Sequence, residues 1–352
     1  MRLVKELFHS TAENGRAALL IVDGEPGVGK SRLGWEFFKY VDGLTQDTYW
    51  HQGRCLAYGE GVAFWALAEA VRLRLVRLAE RTGDEDADAT ELIAEALAAL
   101  PSTDEERSWL ARRLGALLGG GSFGTFAREE LFAAWVTFFE RVSGGDEIVF
   151  LIDDAHHADE GLLDFVEYLL ETATFPCLVV LLNRPGLLER RPALATNRRA
   201  AVLHLPGLAP RDMSTLVNGL VAGLPDEVSA ALVARAEGVP LYAVETVRSL
   251  IDRDLVVPKG GQYVLADSQL DLSSIGAPAS LQALVAARLD TLSGDQRRVV
   301  NEASVLGATF ELAALRELCP EVDVEVAIPE LVRLQILTKD TNRLSSEYGQ
   351  LK

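Results

Sequence analysis

The chain has 352 residues, of which 52 are acidic and 34 basic, so its formal net charge at pH 7 is −18. This surplus of acid speaks against binding nucleic acid or an anionic membrane surface, because both depend on Lys and Arg contacts with phosphate. Its three cysteines are far apart and lack metal-ligand spacing, and no apolar run approaches the roughly 18 residues of a membrane span. These features predict a cytoplasmic protein with no membrane association.

The first part of the chain alternates strands with helices. Ala18–Asp23 is an apolar run of strand length, the spacing of Ser31–Val41 predicts a helix, and Thr48–Gly53 predicts a second strand. From about 62 to 143 the pattern becomes helical and rich in Ala and Leu, which indicates a helical insertion.

Three more apolar runs of strand length follow the insertion, at Glu147–Ile152, Cys177–Leu182 and Ala201–Leu205. A helical pattern at Leu162–Leu170 separates the first two. Continuous apolar strands separated by helices are typical of a parallel sheet covered by helices on both faces. We therefore predict an α/β domain over residues 1–206.

Beyond Pro206 the pattern changes to helices. The expected helices are Met213–Val221, Glu227–Ala236, Leu241–Arg253, Leu281–Leu292, Gln296–Leu306 and Leu312–Leu318. Gln262–Leu272 is strand-like, and Ser293 with Gln296 fits a capping box. This part predicts a helical second domain over 207–275.

The end of the chain indicates a small hairpin. Its two edges are expected at Leu334–Thr338 and Asn342–Ser345. Three helices followed by a hairpin resemble a winged helix, so we predict a winged-helix-like domain over 276–352, cut short at its C-terminus.

The turn after the first strand reads GEPGVGKS, which matches the phosphate-binding pattern G-x-x-x-x-G-K-[ST] in full. Glycines let backbone N–H groups turn towards phosphate oxygens, and the following helix directs its positive end at them. Lys30 would bind the outer phosphates and Ser31 would ligate Mg²⁺. The alternative is a plain glycine-rich turn, which the match and its context disfavour. The expected nucleotide-binding residues are Gly24, Glu25, Pro26, Gly27, Val28, Gly29, Lys30, Ser31 and Arg32.

Two carboxylates close the apolar run Glu147–Ile152, where a parallel sheet places its ligand contacts. Asp153 would hold Mg²⁺ and Asp154 would orient the attacking water. The alternative is that Asp153 only starts a turn. His156 and His157 follow, but neighbouring side chains point apart and no Cys or His cluster supports them, so a metal site there is disfavoured.

Arg184 lies in the segment NRP, which ends the run Cys177–Leu182. An arginine at this strand end could contact the γ-phosphate and report its presence. The alternative is an exposed loop arginine like Arg190 and Arg191, and the strand-end position favours a role for Arg184.

Several segments in this order resemble the ATPase module of the STAND class, the signal-transduction ATPases with numerous domains. Such modules occur in LuxR-type regulators and beside the catalytic domain of some bacterial class III adenylate/guanylate cyclases. The likeness covers nearly the whole chain. Its motifs are GEPGVGKSRL, NRP, GRCLAYGEGVAFWALAEAVR at Gly53–Arg72, FLIDDAHHADEGLLDF at Phe150–Phe165 and EGVPLYAVE at Glu237–Glu245.

The resemblance implies roles by position. Lys30, Asp154 and Arg184 would be the catalytic set, with Arg184 as sensor, and Asp153 would be the Walker B acid. Pro240 would pack near the adenine and make the position of the second domain depend on which nucleotide is bound. The residues alone indicate only that one helix ends and the next begins here. The family usually has Trp where His157 stands. It also carries an adenine-cupping segment before the first strand, and this chain begins after that segment, so the resemblance implies a fragment, a split gene product or a misplaced start.

The expected function is that of a slowly hydrolysing switch ATPase that binds ATP/ADP and Mg²⁺, with a protein partner or a fused effector domain. ATP binding between the α/β core and the helical domain would set their orientation. Adenine rather than guanine follows from the resemblance alone. Two alternatives stay open: a non-hydrolysing nucleotide-binding scaffold for protein–protein contacts, and a phosphotransferase that uses the same loop.

Overall fold

The computed structural model describes residues 1–45, 47–55, 64–79, 89–119, 126–266, 286, 289, 292–307, 309–334, 336–339 and 349–352. Contacts within the chain divide it into two compact units, Met1–Pro206 and Gly207–Lys352. In the part of the chain so described, no helix has both the length and the apolarity needed to cross a bilayer.

The first unit is built on a five-stranded sheet in which every pair of neighbours is parallel, in the order β2-β3-β4-β1-β5. The predicted α/β class with a parallel sheet is confirmed. The strands are β1 Ala17–Asp23, β2 Thr48–Arg54, β3 Glu147–Asp153, β4 Cys177–Asn183 and β5 Ala200–His204. Strand β3, which ends at Asp153, is therefore not a neighbour of β1, because β4 lies between them.

Helices cover both faces of this sheet. Their bounds are α1 Arg2–Asn14, α2 Lys30–Asp42, α3 Trp65–Leu78, α4 Ala89–Ala98, α5 Asp104–Leu117, α6 Arg128–Ser143, α7 Glu160–Thr172, α8 Leu187–Arg190 and α9 Pro192–Thr196. Alternate residues of β1 show that each face of the sheet has its own apolar core. Leu19 and Ile21 belong to a core with α3 to α7, whereas Leu20 and Val22 belong to a second core with α1 and α2. Side chains of a strand point alternately to its two faces, so both faces of these strands must be apolar.

Helices α3 to α6 fall within the predicted insertion at 62–143, of which 62–63, 80–88 and 120–125 lie outside the described residues. The insertion meets the sheet at a close backbone approach. A Cβ placed on Gly53 would lie 2.5 Å from the carbonyl oxygen of Ala66 in α3. Only glycine allows α3 to pack this closely on the end of β2.

Helix α1 packs on the sheet through its buried residues Val4, Phe8 and Thr11. The Thr11 hydroxyl donates a hydrogen bond to a carboxylate oxygen of Glu147, at the start of β3. The other oxygen of Glu147 is buried and has no hydrogen-bond partner among the described residues. Burial raises the pKa of Glu147 from 4.5 to about 7, against the opposing effect of the bond from Thr11.

We expect Glu147→Gln to stabilise the protein at alkaline pH and to have little effect at acidic pH. The raised folded-state pKa means that Glu147 ionises first in the unfolded chain, so its contribution to stability falls as pH rises from about 4.5 to about 7. Above pH 7 the substitution should raise the free energy of unfolding by on the order of 3 kcal/mol. Urea unfolding of both proteins at pH 4.5, 6 and 8 measures it, and an equal difference at all three values would contradict the assignment.

The second unit has two apolar cores. The first is formed by α10 Pro210–Leu220, α11 Asp226–Ala236, α12 Pro240–Asp252 and the antiparallel hairpin β6 Val256–Lys259 with β7 Gln262–Leu265. The second is formed by α13 Gly294–Leu306, α14 Leu312–Leu318 and α15 Val324–Arg333. The start of the predicted strand-like stretch Gln262–Leu272 is thus one arm of a hairpin, whereas residues 267–272 lie outside the described residues. The capping box of Ser293 and Gln296 is confirmed.

The last residues of the chain pair with two earlier positions. Leu351 forms antiparallel bridges to Phe310 and to Lys339. Helix α15 precedes this pairing and was not predicted, because Pro329 inside it suggests a break. Asn342–Ser345 and most of Leu281–Leu292 lie outside the described residues. The winged helix and the division at 275 stay predictions.

Candidate nucleotide-binding site

The loop between β1 and α2 has a backbone that requires glycine. Gly29 has a φ of 107°, in the left-handed region that side chains rarely adopt. A Cβ on Gly24 would lie 2.9 Å from the carbonyl oxygen of Leu205 and 3.1 Å from Cγ1 of Val28. The glycines of the motif therefore give the loop its shape, before any ligand is considered.

Lys30 is the first residue of α2, and its side chain folds back over the loop. Its Nζ donates to the carbonyl oxygen of Gly24 at 2.7 Å and to that of Glu25 at 3.0 Å. Burial and, after it, the charge of Arg184 lower the pKa of Lys30, with nearby carboxylates acting in the opposite direction. The ammonium group thus lies at the loop, close to both acidic and basic groups.

Ser31 and Asp153 meet although they are far apart in the chain. The Ser31 hydroxyl donates to Oδ2 of Asp153 at 3.1 Å. The other oxygen of Asp153, Oδ1, accepts from the backbone N–H of Asp154 at 2.9 Å. Hydroxyl and carboxylate oxygens suit Mg²⁺, which typically takes one or two carboxylates together with substrate phosphates. These residues therefore fit the predicted metal.

Asp154 is held by an arginine that the sequence analysis did not single out. Its oxygen Oδ2 accepts from Nε of Arg54 at 3.0 Å and from Nη2 at 2.8 Å. Its oxygen Oδ1 lies 3.9 Å from Nη2 of Arg184. Arg54 is the last residue of β2 and is in register with Asp153 of β3, so the rule that parallel strand ends converge could have found it.

Three of the arginines that follow β4, Arg184, Arg190 and Arg191, separate into two groups. Arg191 pairs with Glu160, Asp164 and Glu167 on α7, and Arg190 pairs with Glu160. Arg184 instead faces Asp154. The structure therefore brings Arg184 to the carboxylates of the loop region and engages the other two arginines in packing against α7.

Three polar residues at the ends of β4, β1 and β5 form a chain that sequence reasoning also missed. Nδ2 of Asn183 donates to Oδ1 of Asp23 at 2.8 Å, and Nδ1 of His204 lies 3.3 Å from Oδ2 of Asp23. The backbone N–H of Gly24 donates to the carbonyl oxygen of Asn183 at 3.3 Å. These contacts fasten the entrance of the loop to both neighbouring strands. Asn183 belongs to the NRP segment, but no motif includes Asp23 or His204, so no sequence signal pointed to the contacts that join the three residues.

His156 and His157 lie together after Asp154, with ring centroids 4.0 Å apart. Burial lowers the pKa of His156 to about 4, with His157 and Arg184 acting in the same direction, so its ring is neutral at physiological pH. Among the residues that the structure describes, no group of three or more His, Cys, Asp or Glu could hold a metal ion.

Pro240 lies in the second unit, where α11 ends at Ala236 and α12 begins at Pro240 itself. The intervening Gly238 has a φ of 81°, and its carbonyl oxygen accepts from the backbone N–H of Leu208 at 2.7 Å. These contacts account for the helix stop and restart. The contact of Pro240 with adenine stays a prediction.

Comparison with known proteins gives a family match and distant relatives. Residues 1–181 match the family described as AAA ATPase domain. Adenylate cyclase type 10 of Rattus norvegicus is 22% identical over 245 residues, which are 59% of this chain and 15% of that protein. The protein of the same name from Oryctolagus cuniculus is 22% identical over 252 residues, 60% of this chain and 16% of that protein. The chain thus spans less than a fifth of the length of these curated relatives.

Among solved structures, the chain is similar to a Signal Transduction ATPase with Numerous Domains (STAND) protein from Pyrococcus horikoshii, which carries a tetratricopeptide repeat sensor. The TM-score is 0.50 at 14% identity, over 95% of this chain and 39% of that one. At this identity the likeness concerns the fold, and it agrees with the predicted α/β fold with a phosphate-binding loop.

Proposed function

Since the chain belongs to the AAA ATPase domain family, we propose that it binds ATP or ADP with Mg²⁺ at residues 24–32 and hydrolyses ATP slowly. The observation that carries this proposal is the contact of Ser31 with Asp153, at 3.1 Å. This contact joins the phosphate-binding motif, which follows β1, to the carboxylate at the end of β3, although β4 lies between the two strands. Hydroxyl and carboxylate oxygens are both ligands that suit Mg²⁺.

The proposed chemistry assigns one task to each charged group. Lys30 and Arg184 bind phosphate oxygens and stabilise the negative charge that develops during transfer of the terminal phosphoryl group. Asp154 accepts a hydrogen bond from the attacking water and directs it at the γ-phosphorus. When bound, Mg²⁺ would neutralise charge on the phosphate oxygens and would be held by Ser31 and Asp153.

We further propose that this ATPase acts as a switch within a larger signalling system, together with a protein partner or a fused effector domain. The relatives of the chain support this role, because one is a signal transduction ATPase and the others are adenylate cyclases. The net charge of −18 favours protein rather than nucleic acid as the partner. Cys55, Cys177 and Cys319 are buried and unpaired, which supports a cytoplasmic location.

The nucleotide content of the freshly purified protein tests the proposal. We expect ADP, because a resting switch holds its product, and we expect phosphate release from Mg²⁺–ATP at roughly one turnover per minute or slower. Heat release followed by chromatography identifies the nucleotide. Bound ATP without phosphate release over hours would favour the non-hydrolysing scaffold, and failure to bind ATP in a direct titration would refute the proposed site.

A further inference from the structure

We propose that Arg74 is the centre of a binding site for a small carboxylate, at the edge of the sheet where α3 packs on β2. The site, called the Arg74 site below, is formed by Arg74 of α3 with Tyr49 and His51 of β2. None of these residues belongs to the proposed nucleotide site, so the inference does not depend on the proposed function.

Arg74 is buried although its side chain ends in a charged group. Only 8% of the residue is exposed. Its Nε donates a hydrogen bond to Nε2 of His51 at 3.1 Å, and its guanidinium carbon lies 4.8 Å from the centre of the Tyr49 ring. Tyr49 and His51 are two residues apart on β2, so both side chains lie on the same face of the sheet. The guanidinium group is thus held between an imidazole and a phenol ring.

His51 fixes the position of this guanidinium group but brings no negative charge to it. Its ring packs against the rings of Phe139 and Phe150, with centroids 5.2 and 4.9 Å away. Burial and, after it, the charge of Arg74 lower the pKa of His51 well below its usual value, so the imidazole is neutral. Since Nε2 accepts the bond from Arg74, the ring proton is on Nδ1, which lies 3.1 Å from the carbonyl oxygen of Tyr49. Both ring nitrogens are therefore satisfied within the protein.

The charge of Arg74 is not balanced by a carboxylate of the described residues. Burial and, after it, the charge of Arg77 lower the pKa of Arg74 to about 10, and no acidic side chain among the described residues acts on it. The group is still cationic at pH 7. A buried charge is costly unless it is paired, and this chain has 52 acidic residues from which a partner could have been drawn. An anion that binds here would supply the missing charge.

The hydrogen-bond donors that remain on Arg74 favour a carboxylate over other anions. The bond to His51 uses Nε alone, and neither Nη1 nor Nη2 is sealed off from solvent. These two nitrogens form a planar fork that matches the two oxygens of a carboxylate, whereas chloride can accept at a single point only. The Tyr49 ring covers one face of the guanidinium group, so a ligand enters in its plane. The small exposed fraction of Arg74 restricts the ligand to a small one.

The test measures the melting temperature of the full chain while sodium formate replaces sodium chloride at constant ionic strength. A ligand that binds the folded chain stabilises it, so we expect the wild type to melt about 2 °C higher or more at about 50 mM formate. Arg74→Gln, which can still donate to His51, should lose this response. Arg74→Lys should lose it as well, because lysine keeps the charge without the fork.

Arg72→Ala is the matched control, because Arg72 is an exposed arginine of the same helix. It should keep the full response to formate. Lys30→Ala should also keep it, and loss of the response in that variant would place formate at the phosphate loop and overturn the proposal. An equal rise of the melting temperature in Arg74→Gln and in the wild type would overturn it too.

A second measurement uses only the wild-type chain to detect binding, so it remains decisive if Arg74→Gln does not fold. In the ¹⁵N-labelled protein, the Nε–H resonance of Arg74 is identified by its absence in Arg74→Lys. We expect this resonance to shift with formate until the site is saturated and to stay in place with chloride. A resonance that does not move with formate, or that moves equally with both salts, would show that Arg74 only packs against β2 and would overturn the Arg74 site.

Discussion

Replacement of Lys30 by alanine is expected to abolish ATP binding at micromolar nucleotide. The ammonium group is held at the loop by the carbonyl oxygens of Gly24 and Glu25, at 2.7 and 3.0 Å, so its position is fixed before nucleotide arrives. Its removal leaves the bound phosphates without their nearest cation. Removing one partner of a desolvated charge pair costs about 2–5 kcal/mol, which corresponds to a loss of affinity between about 30-fold and about 5,000-fold.

The control for Lys30→Ala is Lys39→Ala on the same helix. Lys39 is half-exposed and pairs with Glu36, so its loss removes one positive charge from α2 without altering the loop. Titration calorimetry with ATP and Mg²⁺ measures both variants. We expect wild-type affinity in Lys39→Ala, and full affinity in Lys30→Ala would refute the assignment of the phosphate site.

Replacement of Asp154 by asparagine is expected to preserve ATP binding and to eliminate most of the turnover. The amide has nearly the shape of the carboxylate, but it cannot accept a proton from the attacking water. Positioned general bases contribute about 10²- to 10⁴-fold to rate, so kcat should fall by at least about 100-fold. The Kd for ATP should change little, because the proposed phosphate and Mg²⁺ ligands are other residues.

Asp146→Asn is the matched control for this carboxylate, since Asp146 is exposed and precedes the start of the same strand, β3. Single-turnover phosphate release, measured beside equilibrium ATP binding, separates the chemical step from affinity. Normal turnover in Asp154→Asn would remove this residue from its proposed role. A loss of ATP binding without a loss of folding would place Asp154 among the binding groups instead.

The strands of the α/β domain could be predicted from sequence because their physical signal is strong. All five lie within one residue of the predicted bounds at each end. The signal is strongest for β1, β3 and β4, because a strand buried on both faces gives an unbroken apolar run that ends where the backbone leaves the core. The order of these strands could not be predicted in this way. An apolar run does not indicate which strands will lie beside it in the sheet, so the position of β4 between β1 and β3 appears only in the folded structure.

The comparisons agree with the resemblance to STAND-class ATPase modules. Residues 1–181 match the AAA ATPase domain family, and the fold is similar to that of the STAND protein from Pyrococcus horikoshii. That resemblance could be recognised from the sequence because it depended on short motifs. The backbone geometry that each motif requires is set by residues close together in the chain. The roles of Lys30, Ser31, Asp153, Asp154 and Arg184 stay predictions, to be tested by the variants described above.

The residues that sequence reasoning missed are those whose meaning is set by partners distant in the chain. Arg54 is an ordinary polar residue after a strand until the sheet places it against Asp154, which lies 100 positions later. Asp23 likewise gains its role only when β4 and β5 flank it. Helix α15 was missed for a local reason, since Pro329 is normally a helix breaker.

The way in which the loop holds its own lysine has a consequence for the energetics of ligand entry. The ammonium group of Lys30 already has two carbonyl partners, so an incoming phosphate meets one remaining N–H donor and gains a further bond from this group only by displacing a carbonyl oxygen. Binding is then a substitution reaction, and its enthalpy is the difference between two sets of contacts. Small anions such as sulfate or chloride, which offer few compensating contacts, should compete poorly, whereas a polyphosphate that also binds the loop's N–H groups can complete the exchange. The loop would in this way select for ligand length as well as for charge.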